Sequence, residues 1–119
     1  MSDEPQEIGE RTFAFAVRVV KLCQVLDGKP GVSRTLANQL LRSGTSVGAN
    51  LEESKGGQSR ADFLSKVSIS LKEARETPYW LRLLLATDIL PERQLAPLLD
   101  EANQLVAILT TIVKKLKKT

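Results

Sequence analysis

Ser43, Ser46, Asn50 and Glu53 recur three or four residues apart, so a helix carrying them presents all four on one face. Lys72, Glu73 and Glu76 supply a cation and two carboxylates from a second short stretch. Set against each other on two antiparallel helices, these seven side chains have two readings. One is a polar network that fixes helix register, because buried polar groups must be paired. The other is a site for a ligand or partner. Glu52, Glu53, Glu73 and Glu76 also raise the question of a carboxylate cluster for a metal ion or for proton transfer. Adjacent residues such as Glu52 and Glu53 diverge by about 100° on a helix and cannot both face one site.

The residue inventory closes most catalytic routes. The chain has no His, which removes the commonest general base and the commonest metal ligand. Its single Cys cannot build a thiolate zinc site or an intramolecular disulfide. The Glu-x-x-His motif of di-iron bundles is excluded. The expectation is a protein that is not an enzyme and needs no metal or cofactor. Cys23, among apolar neighbours, is expected to act as a small hydrophobe.

Four helical segments must position these residues. The first spans about Glu7 to Leu26, with a seam of Ile8, Thr12, Phe15, Val19, Leu22 and Leu26 at spacings of four and three. Asp27-Gly-Lys-Pro-Gly31 ends it. Ser33 is the expected N-cap of the second helix, whose seam is Ala37, Leu40, Gly44, Val47 and Leu51 and whose stop is Gly56-Gly57. Gly44 and Gly48 each lower helix propensity by roughly 1 kcal/mol relative to Ala, which marks a tight contact or a polar site. Ser59 caps the third helix, which runs through Ala86 with Pro78 inside it and a kink expected near Ala74–Pro78. Pro91 is expected at the first position of the fourth helix, which carries Leu95, Leu98/Leu99, Ala102, Leu105/Val106, Leu109, Ile112/Val113 and Leu116. Short connections between four such helices predict an all-α, antiparallel up-down-up-down four-helix bundle with a kinked third helix. One domain takes in residues 1–119, with 1–7 and 117–119 frayed.

A chain of 119 residues is long enough to bury a core without disulfides. The acidic first ten residues do not resemble an export leader, and no stretch reaches the roughly 18 apolar residues of a membrane span. Cytoplasmic location is the default expectation. The net charge is +3, with Lys114, Lys115, Lys117 and Lys118 at the end of the chain.

Apolar residues exceed what one stripe per helix requires. Phe13, Val17 and Val20 form a second strip on the first helix; Tyr79, Trp80 and Leu83 lie in a nearly all-apolar run; Leu98, Val106, Ile108 and Val113 double the last seam. Surplus of this kind marks an interface, here between copies of the chain. Arg34, Arg42, Arg60 and Arg75, with Lys114, Lys115 and Lys118, are candidate contacts for nucleic acid, the alternative being solvated faces and ion pairs.

Two blocks resemble the proteins encoded in intervening sequences of bacterial 23S ribosomal RNA genes. One is Ser43-Gly-Thr-Ser-Val-Gly-Ala-Asn-Leu-Glu-Glu-Ser54. The other is Asp62-Phe63 followed by Lys72-Glu-Ala-Arg-Glu-Thr-Pro-Tyr-Trp-Leu81. The resemblance covers roughly residues 10–117. It implies a four-helix bundle assembling into a homopentamer, with RNA or DNA binding proposed for the family and the cellular role poorly defined. Accessory proteins of diversity-generating retroelements share the bundle, which implies an alternative as a protein-interaction adaptor or accessory factor for a reverse transcriptase.

Overall fold

The computed structural model describes residues 4–118, with side chains from residue 7 onward. Four helices follow in order: α1 Glu4–Asp27, α2 Val32–Ser54, α3 Arg60–Ala86 and α4 Glu92–Lys117. They form an elongated bundle of 46 × 22 × 19 Å. Each helix packs on the next in the chain, and α4 closes the circuit against α1, where the helices touch least. The expected fraying of residues 1–3 and 119 falls outside the described residues. Residues 4–7 and Lys117, also expected to fray, are helical.

The core is one apolar cluster fed by all four helices. Ile8, Phe15, Val19, Leu26, Leu40, Val47, Val67, Leu81, Leu84, Leu95, Leu105 and Leu109 are among its buried members. On α1 the buried position after Val19 is Cys23 rather than Leu22, which packs at the margin. A spacing of four replaces the expected three there, and both fit the 3.6-residue period.

Two boundaries depart from expectation. Ser33 does not cap α2. Gly31 takes that position at φ 87°, and its carbonyl accepts from the Thr35 amide at 3.1 Å and from Thr35 Oγ1 at 3.2 Å. A positive φ is easy for Gly, so the chain turns into the helix before Ser33. Pro91 is the N-cap of α4, one residue outside the helix, with extended backbone. As expected, α3 carries Pro78 inside it and runs on to Ala86. The missing Pro78 amide leaves the Ala74 carbonyl without its usual i+4 donor. Ser59 caps α3 as its position suggests, accepting from the Asp62 amide at 3.1 Å, while Asp62 Oδ2 accepts from the Gln58 amide at 3.3 Å.

Candidate functional site

The Ser43–Ser54 run lies in α2 between α1 and α3. Its glycines face α1: a Cβ at Gly48 would come within 3.2 Å of Thr12 Oγ1 and 3.4 Å of Thr12 Cβ. The run's small residues therefore serve close helix contact on this side.

Toward α3 the run is polar, and the pairing differs from the expected network. Ser43 and Thr77 are fully buried, with their hydroxyl oxygens 3.1 Å apart, and Thr77 Oγ1 also lies 2.9 Å from the Glu73 carbonyl. One turn along, buried Ser70 donates to the Val47 carbonyl at 2.7 Å. Ser46 donates to the Arg42 carbonyl at 2.6 Å and Asn50 to the Ser46 carbonyl at 2.8 Å, so both satisfy their own helix rather than α3. Glu53 is exposed and pairs with Lys66 at 2.8 Å. That hydrogen bond and the Lys66 charge lower the Glu53 carboxyl below its ordinary value. Lys72 is exposed and takes no part.

Arg42 is the hub that the sequence reading placed elsewhere. Its guanidinium bridges Glu73 Oε1 at 3.1 Å and Glu76 Oε2. Trp80 Nε1 donates to the same Glu76 oxygen at 2.8 Å, and the Tyr79 ring meets the Trp80 ring edge-on with centroids 5.1 Å apart. Arg42 sits one turn before Ser46 on the polar side of α2. Thr77 and Ser70 stand out as polar residues on an otherwise apolar α3 seam. Those were the available signals for this arrangement.

The carboxylates do not converge. Glu52 pairs with Lys55 at 3.2 Å, Glu53 with Lys66, and Glu73 and Glu76 with Arg42. Among the described residues no group of three or more His, Cys, Asp and Glu side chains is placed to hold a metal ion. Among the described residues no helix is long and apolar enough to cross a membrane.

Several candidate nucleic-acid contacts are engaged inside the chain. Arg34 donates to the Asp27 carbonyl at 3.0 Å, Arg60 donates to the Leu116 carbonyl at 3.1 Å, and Arg42 is held as described. Arg75, Lys114, Lys115 and Lys118 are exposed. Across the loosest seam, Arg11 of α1 grips Glu101 of α4 at 2.7 and 3.1 Å, which raises the guanidinium pKa further.

The apolar surplus divides in two. Leu98 and Val113 are buried in the bundle's own core, so the wide α4 stripe faces inward at both positions. Trp80, Leu83, Val106 and Ile108 are half-buried. Phe13 is 71% exposed, Val17 38%, Val20 39% and Tyr79 55%. Phe13, Val17 and Val20 share one face of α1, and Leu41 of α2 is 37% exposed. Phe13 also lines an apolar cleft of about 650 Å³ with Ala16, Thr45, Gly48 and Ala49, continuing to Phe63, Ile112 and Leu116 at the bundle's end.

No curated protein matches the chain. A solved structure, described as a protein of unknown function from the S23 ribosomal protein family of Bacteroides thetaiotaomicron, is similar along nearly its whole length. The two share 39% identity over 93% of this chain and 98% of that one, with a TM-score of 0.85. The family model described as 23S rRNA-intervening sequence protein matches residues 4–111. With four helices in this order and a match over most of its length, the chain belongs to the 23S rRNA-intervening sequence protein family.

Proposed function

We propose that this protein is a non-enzymatic assembly module, a helical bundle that associates with copies of itself. The observation that carries the reading is the strip of Phe13, Val17 and Val20, which stays 71%, 38% and 39% exposed among the described residues. Leaving Phe13 and the outer parts of Val17 and Val20 in water forgoes about 25 cal/mol for each Å² that a partner would bury. A contiguous patch beside a cleft is what an interface offers. The absence of His and the pairing of Glu52, Glu53, Glu73 and Glu76 with cations of the chain support a role without catalysis. Five subunits is the number the family resemblance implies.

Multi-angle light scattering at micromolar concentration tests the reading. The expected mass is a multiple of 13.1 kDa, falling toward the single-chain value in Phe13→Asp. A wild-type mass near 13.1 kDa overturns it. A partner protein that binds the same strip only in the monomer would make the chain an adaptor instead.

A further inference from the structure

Lys72, Arg75, Tyr79 and Arg82 recur at spacings of three, four and three along α3, and all four are exposed. At 100° per residue they fall within an arc of about 80°. The three cations make no hydrogen bond or ion pair among the described residues. Continued toward the N-terminus, the same arc carries Ser68, Leu64 and Ala61 and no acid. The nearest carboxylates on the helix, Glu73 and Glu76, are already occupied by Arg42.

Tyr79 in the middle of this stripe has a built support. Trp80 is pinned by its indole hydrogen bond to Glu76 and stands nearly perpendicular to the Tyr79 ring, at 79°. Glu76 is in turn pinned by Arg42. The Tyr79 ring is thus braced from one side while 55% of the residue remains open to solvent. A ring presented in this way can be covered by a planar group without a pocket.

We propose that this α3 stripe is a binding platform for single-stranded nucleic acid, with Tyr79 stacking on a base and Lys72, Arg75 and Arg82 pairing with flanking phosphates. A single strand fits better than a duplex, because an unstacked base is free to cover the ring, whereas duplex bases stack on one another. The stripe is about 15 Å long at 1.5 Å per residue, enough for a few nucleotides. Of the seven expected contacts only Arg75 belongs to it.

The test is fluorescence anisotropy of the full chain with a fluorescein-labelled oligothymidylate about twenty nucleotides long. Three phosphate contacts on a single strand predict a slope of about −2 in log K against log salt, or roughly 20-fold weaker binding at 200 mM than at 50 mM salt. Tyr79→Ala should weaken binding about tenfold. Tyr79→Phe, which keeps the ring, should stay within about twofold. The triple variant Lys72→Ala/Arg75→Ala/Arg82→Ala should flatten the salt dependence. Every substituted side chain is on the surface, and circular dichroism melting verifies the fold. Absence of binding at 50 mM salt overturns the proposal, as does a duplex that competes equally well. So does a Tyr79→Ala variant with unchanged affinity, or one with a lower mass by light scattering, since the stripe would then be an interface between copies.

Discussion

Gly44 of α2 lies so close to Val19 of α1 that a Cβ at position 44 would stand 3.0 Å from both Val19 methyl carbons. Val19 is fully buried, and its branched Cβ leaves it little rotamer freedom to move aside. The two backbones reach this distance because position 44 carries no side chain. Alanine there would gain about 1 kcal/mol of helix propensity but overpack the contact by about 1–3 kcal/mol. Gly44→Ala is therefore expected to be net destabilising by about 1 kcal/mol in urea unfolding. A more stable variant would mean that α1 and α2 are further apart than described.

Ser43 and Thr77 tie α2 to α3 where neither hydroxyl can reach water. Thr77→Val removes one partner and leaves the other with a single long contact to the Leu40 carbonyl at 3.5 Å. The expected loss is about 1–2 kcal/mol, with a smaller one for Ser43→Ala, which leaves Thr77 its bond to the Glu73 carbonyl. Removing both hydroxyls removes the desolvated pair as a unit, so the double variant should lose clearly less than the two single losses combined. Additive losses in this cycle would show that the hydroxyls act independently.

The Arg42 bridge should matter less than its appearance suggests. Its guanidinium is about half exposed, and ion pairs open to water are worth roughly 0–1 kcal/mol. Arg42→Met keeps the side-chain stem and strips the charge, leaving Glu73 and Glu76 one turn apart without their cation. A loss of no more than about 1 kcal/mol is expected, shrinking in 1 M salt as the remaining repulsion is screened. A salt-independent loss several times larger would mean that the bridge is effectively desolvated.

The bundle was legible because its seams are long and periodic: Ile8 to Leu26 and Leu95 to Val113 bury the positions their spacing selects, within a residue. Pairing across the seam was not. Ser46 and Asn50 share a face with Ser43, yet each has a carbonyl of its own helix within reach, and that local bond needs no partner helix. Arg42 is unremarkable in sequence and becomes a hub only because α3 places Glu73 and Glu76 one turn apart beneath it. Leu98 and Val113 show the converse limit. A doubled apolar stripe reads the same whether its second strand faces a neighbour or fills a wide core, and here both residues fill the core.

Cys23 gives a prediction with a definite sign in pH. The thiol is buried, lies 3.4 Å from the Ala37 carbonyl as its acceptor, and has its pKa pushed up to about 11 by burial. Alkylating reagents attack the thiolate, so iodoacetamide at about pH 8 should leave the native chain unlabelled and modify it readily in guanidinium. The same shift links to stability. As pH rises past 9.0, the ordinary value that the unfolded chain retains, the unfolded thiol releases its proton while the folded one still holds it. The unfolded state is favoured across that window, and stability falls by on the order of 2–3 kcal/mol by about pH 11. The comparison is with Cys23→Ala, in which every other titratable group is unchanged. The stability difference between wild type and Cys23→Ala should be constant below about pH 8 and shift against the wild type above 9. A difference that stays flat through pH 11, or equal labelling of native and unfolded chains, would place the thiol at the surface.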